Sequence, residues 1–134
     1  MKRIALIAMV LVEACLTADA ISSNDDVARD AAIQWLQLID GGRYEEAASL
    51  GSTEVRSFEQ WSNDFKTRRA PLGKVISRHL LIVSQRSTFP SAFQVRKYYA
   101  VRFKTSFVGK PGANEVVTLA KIGCCWEVFE YKVE

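Results

Sequence analysis

An α+β fold is what the hydrophobic periodicity of this chain predicts: three N-terminal helices packed on a curved four-stranded antiparallel sheet. Three observations carry it. Between Asp25 and Arg69, apolar residues recur at three- and four-residue spacing, the period of a helix with one buried stripe. From Lys74 onward the texture changes to alternation rich in β-branched and aromatic residues, which is the period of a strand. The links between the predicted strands are mostly short, and a parallel crossover needs about a dozen residues or more, so the strands are antiparallel neighbours. Helices segregated from strands give an α+β domain with the helices on one face of the sheet.

The first helix starts at Asp25 and Asp26, whose side chains can cap it and whose charge suits its positive end. Val27, Ala31, Trp35, Leu38 and Ile39 form its predicted apolar stripe, and Gly41-Gly42 ends it. A short second helix runs from Arg43 to about Leu50, broken by Gly51 and Ser52. The third begins at Ser57, where Ser57-x-x-Gln60 has the form of a capping box. Phe58, Trp61 and Phe65 share its apolar face, basic residues crowd its last turn, and Pro71 and Gly73 stop it.

Four strands follow, over roughly Lys74–Ser84, Arg96–Phe107, Asn114–Ile122 and Cys125–Val133. In the second, Tyr99, Val101, Phe103, Thr105 and Phe107 point one way, and Arg96, Arg102, Lys104 and Ser106 the other. Lys110-Pro111-Gly112-Ala113 is a predicted turn, and Gly123 marks another. The far face is not purely polar. Tyr98 and Ala100 sit among the basic residues, Val116, Ala120 and Ile122 alternate against Val117 and Leu119, and Trp126 and Val128 oppose Phe129 and Tyr131. Helices cover one face only, so apolar surface is expected on the other, and a homodimer through the sheet or a foreign partner would bury it.

The first twenty residues stand apart from the domain. Met1-Lys2-Arg3 is a short positive segment, Ile4 to Val12 is an unbroken apolar run, and Ala18-Asp19-Ala20 fits the small-x-small pattern before a cleavage site. That run is too short to cross a bilayer, which takes about 20 residues, and reads as a cleavable signal peptide over residues 1–20. A single domain over 25–134, no transmembrane segment in the mature chain, and a periplasmic or secreted location are the expectations. Val12-Glu13-Ala14-Cys15 loosely resembles a lipobox and opens a second route, lipidation at Cys15. A buried N-terminal helix is the plainer alternative.

A chain of 134 residues holds one domain, and its 49% hydrophobic content is ordinary for a folded one. The net charge of +3 lacks the dense basic cluster of a nucleic-acid binder. No cofactor motif or phosphate-cradling loop is present, and His79 is the single histidine, so no metal site is expected. Cys124 and Cys125 are adjacent. They read either as two half-buried thiols near a turn or as a vicinal disulfide, strained because neighbouring Cα atoms sit only about 3.8 Å apart.

Several stretches occur in an order that resembles a family of small exported bacterial proteins of unknown function. They are Trp61, Arg69-Ala70-Pro71-Leu72-Gly73, Ser77-Arg78, Phe103-x-Thr105-x-Phe107, Lys110, Glu115-x-Val117-Thr118-Leu119 and Trp126-x-Val128-x-x-Tyr131. That resemblance implies export and a cone of the cystatin-like, nuclear-transport-factor-2-like kind. It implies no catalytic residue. Gly123-Cys124-Cys125-Trp126 departs from the polar-Gly turn of that pattern.

A cone of this kind encloses a pocket, and acid–base chemistry there would need a poised side chain. Asp40, Tyr44, His79 and Tyr99 are the candidates, each also readable as an ordinary structural residue. Arg69 and Arg78 flank the Pro71-Leu72-Gly73 corner, with Glu115 as a prospective partner. A structural ion pair pinning the helix–sheet junction is the simpler reading, and an anion or carboxylate site the sharper one. The favoured function is a non-enzymatic envelope protein that binds a protein or small ligand. The alternative is a small-molecule enzyme of isomerase or dehydratase type. A polar pocket holding His79 or Asp40 would favour the enzyme, and one filled by Trp35, Phe103 and Phe107 the binder.

Overall fold

The computed structural model describes residues 23–90, 92 and 94–134. The predicted signal segment and Cys15 lie outside them. Helix α1 spans Asn24–Asp40, and the Ser23 hydroxyl accepts from the Asp26 amide at 3.1 Å to cap it. Its buried stripe is Ala28, Ala32, Trp35, Leu36 and Ile39. The predicted stripe is thus rotated: Val27 is 38% exposed, and two alanines take the inner positions. Small side chains let the helix approach the sheet closely, which hydropathy alone does not register. Helix α2, Tyr44–Ser49, buries Ala47 and Ala48.

Helix α3, Phe58–Asp64, opens with the capping box in full, Ser57 and Gln60 each satisfying the other's backbone N–H. Trp61 and Phe65 are buried, but Phe58 is exposed. The helix does not run unbroken to Pro71. It widens into a π-turn over Phe65–Arg69 and ends in a 3-10 turn over Ala70–Leu72. Proline lacks the N–H that would continue the ladder, and its ring crowds the carbonyl four residues back, so the α pattern yields before it. Gly73, at φ 79°, turns the chain into the sheet.

Strands β1 (Val75–Arg86), β2 (Tyr98–Phe107), β3 (Lys110–Ile122) and β4 (Cys125–Val133) form one antiparallel meander in sequence order. The β2–β3 turn lies at Val108-Gly109, not at Lys110–Ala113. Pro111 and Gly112 fall in β3, opposite a register shift between Thr105 and Phe107. A bulge is where a strand tolerates proline. Arg96 precedes β2 and bonds Glu54 at 2.9 Å, so only Arg102 and Lys104 remain of the predicted basic stripe.

A second bulge, between Thr118 and Leu119, changes β4. Tyr131 lies opposite Val117 and Val128 opposite Leu119. The expectation that Phe129 and Tyr131 share a face is therefore corrected. The extra residue reverses the alternation, putting Tyr131 on the helix side while Phe129 faces away.

The main core fills the space between helices and sheet, with Trp35, Trp61, Phe65, Phe103 and Tyr99 at its centre. A second cluster, Phe89, Tyr98, Ala120 and Phe129, occupies the far face. The β1–β2 connection carries Phe89 over that face, so the expected apolar surface there is largely covered. The exposed apolar surface lies instead on β1, where Leu80, Leu81 and Ile82 are 43%, 56% and 54% exposed.

Candidate functional site

The corner after α3 gathers five ionisable side chains. Asp40 ends α1, Arg69 ends the π-turn, Arg78 lies on β1, Glu115 on β3 and Tyr131 on β4. Glu115 is fully buried. The Arg78 guanidinium donates from Nε to its Oε1 at 2.8 Å and from Nη2 to Oε2 at 3.2 Å. Thr105 donates to Oε1 at 2.8 Å and the Tyr131 hydroxyl to Oε2 at 2.6 Å. Four hydrogen bonds thus compensate the charge that burial would otherwise penalise.

Arg78 also grips Asp40, at 2.7 and 3.0 Å. Burial opposes its charge, but bonds to Asp40 and Glu115 outweigh that and raise its pKa further. Arg69 does not reach Glu115. It donates to the Gly73 carbonyl at 2.8 Å and to Asp40 at 3.3 Å, and lies 4.6 Å above the Phe107 ring. Its Nε is buried without a partner. Tyr131 and Thr105 are members that the sequence did not point to. Tyr131 was hidden by the β4 bulge, and Thr105 by its plain place in the inward row of β2.

Two openings lie between helices and sheet, the first of them beside this corner. One is a cavity of about 160 Å³ between the end of α3, the start of β3 and the end of β4. Arg56, Arg68, Arg69, Lys110 and Lys132 line it, with Asp64 as its carboxylate. The other is a groove of about 400 Å³ between α1 and the β3–β4 hairpin, lined by Trp35, Leu38, Leu50, Leu119, Trp126 and Cys125 among others.

The profile of one protein family matches residues 31–131. The chain belongs to DUF4019, a family of proteins of unknown function. No curated protein matches it.

The remaining candidates of this DUF4019 chain do not assemble into one site. His79 is exposed on β1 opposite Lys104, on the outward face. Tyr44 is half-buried at the start of α2, its ring 6.4 Å from that of Phe65. Tyr99 is buried edge-on to Trp126, and burial raises its pKa. Cys124 and Cys125 are exposed, with their sulfurs 2.7 Å apart. Cys124 is the second residue of a two-residue hairpin turn whose first is Gly123 at φ 64°, the glycine placement of a type II′ turn. Contact with Cys124 raises the Cys125 pKa, so its thiol stays protonated. Among the described residues no three His, Cys, Asp or Glu side chains cluster as a metal ion requires, and no helix is long and apolar enough to cross a membrane.

Proposed function

We propose that this chain is an exported binding domain without enzymatic activity, built as a cone of the cystatin-like, nuclear-transport-factor-2-like kind. Export rests on the Lys2-Arg3 start, the apolar run Ile4–Val12 and Ala18-x-Ala20. Binding without catalysis rests on one observation: neither opening beside the core holds a histidine or an unpaired carboxylate. The groove is apolar and its ionisable group is a protonated thiol. In the basic cavity, Asp64 pairs with Arg56 and the Tyr131 proton is committed to Glu115. General acid–base catalysis needs a group that can gain and lose a proton at the substrate. Asp40 is held by two arginines, His79 faces outward, and Trp35, Phe103 and Phe107 are packed into the interior.

The surface for a second copy is the open edge of β1. The β4 edge is occupied by a bridge from Gly51 to Val128, whereas β1 pairs only with β2. β1 carries neither lysine nor proline, and its guards are two bulges, at Ile76 and Leu81. Arg78 is turned inward, so the middle of the edge, Leu80 to Val83, has no charge to repel its own copy.

The test incubates the protein with envelope extract and follows two things by mass spectrometry: what stays bound, and which metabolites are consumed. Retention of a protein or small molecule without turnover is expected. Multiple-turnover loss of a metabolite, abolished by Asp40→Asn or His79→Ala, would overturn the reading in favour of the enzyme. An N-terminus at Met1 in protein from the envelope fraction would overturn export.

A further inference from the structure

We propose that the basic cavity beside α3 binds a small carboxylate carrying a compact apolar group. This names a ligand class for the binding reading and rests on it. The cavity is built from two kinds of wall. One is cationic, and its charges are not all spent internally. Arg56 pairs with Asp64, Arg69 with Asp40 and Lys132 with Glu134. Arg68 and Lys110 have no carboxylate partner among the described residues and remain free to meet an anion. Arg69 adds a nearly buried guanidinium to the same wall, with a side-chain exposure of 4%.

The other wall is apolar: Phe65, Leu72 and Val133, with the ring of Tyr131. Inorganic anions would leave that wall wet. The volume of about 160 Å³ is below the ~300–1,000 Å³ of pockets for drug-sized ligands. A phenyl or short branched chain bearing one carboxylate matches that size. Guanidinium groups match a carboxylate with paired, charge-assisted hydrogen bonds.

Two sources supply this chemistry, a free organic acid and the C-terminus of a peptide ending in an apolar residue. Calorimetric titration of the full chain uses four probes at constant ionic strength. They are 3-phenylpropionate, its neutral amide, inorganic phosphate and a tetrapeptide ending in phenylalanine with a free carboxylate. The expected result is saturable binding of 3-phenylpropionate, no binding of the amide, and weaker binding of phosphate. Tighter binding of the peptide assigns the site to chain ends, and tighter binding of the small acid assigns it to a metabolite. Arg68 and Lys110 are exposed, so the double variant Arg68→Ala, Lys110→Ala folds with an unchanged thermal midpoint. It should bind at least about tenfold more weakly, the size of one lost charge-assisted hydrogen bond. Equal binding of acid and amide, undiminished affinity in the double variant, or no binding of either carboxylate at about 10 mM overturns this site. The wider binding reading is judged separately, by retention and turnover in the extract.

Discussion

At the scale of single residues, Glu115 sets the terms. A fully buried carboxylate holding four hydrogen bonds is tolerable only while its cation stays. Arg78→Met should therefore destabilise the fold by about 3–5 kcal/mol, the cost of leaving a buried charge unpaired. Adding Glu115→Leu should recover part of that loss, because the orphaned charge goes with it. Urea unfolding of both variants checks this, and a double variant less stable than Arg78→Met would refute it. Tyr131 carries the pH dependence. Burial first, and the Glu115 carboxylate second, hold its phenol well above its ordinary 10.0. The folded state keeps a proton that the unfolded chain releases near pH 10, so folded protein binds more protons above that point. Stability must then fall as pH rises beyond about 10. Tyr131→Phe removes that contribution, and its stability curve should be flatter than the wild type's between about pH 9 and 11. Some slope remains, because burial raises Tyr99 as well.

At the scale of elements, the decisive features are departures from regularity. The segment Leu50–Ser52 runs along β4, with the Val128 amide donating to the Leu50 carbonyl and the Ser52 amide to the Val128 carbonyl, both at 2.8 Å. It passes so close to Trp61 that a Cβ on Gly51 would lie 2.6 Å from the indole Nε1. Trp61 cannot move aside, being buried and bonded to the Ser52 carbonyl at 3.0 Å. Gly51→Ala should cost about 1–3 kcal/mol by overpacking, read as a lower denaturation midpoint. An unchanged midpoint would mean that Trp61 can shift. The bulges in β3 and β4 act at the same scale. One accommodates Pro111, and the other brings Tyr131 round to Glu115.

At the scale of the molecule, the meander leaves β1 as its open edge, and assembly should follow from it. Light scattering at micromolar concentration is expected to show a dimer. Leu81→Lys should give a monomer with nearly unchanged thermal unfolding, since Leu81 is 56% exposed and a lysine on an edge blocks strand addition. A wild-type monomer would exclude the second copy and leave the edge to a foreign strand.

Local chemistry was legible without a fold. The three helices, the Ser57–Gln60 capping box, the α+β segregation and the inward row of β2 follow from period, caps and breakers, which act within a few residues of chain. The Arg78–Glu115 partnership could be suspected, because opposite charges in an apolar setting need each other. That Asp40 would join them could not be read, since a carboxylate at a helix end before Gly41-Gly42 is fully explained by that position and carries no mark of its partners. Nor could the face of Tyr131, because one bulge residue reverses every later side chain and leaves no mark in composition. The far-face cover of Phe89 and the bare edge of β1 depend on where a loop comes to rest. Only packing between distant segments decides that, and it is this packing that turned a scattered set of arginines into a cavity wall.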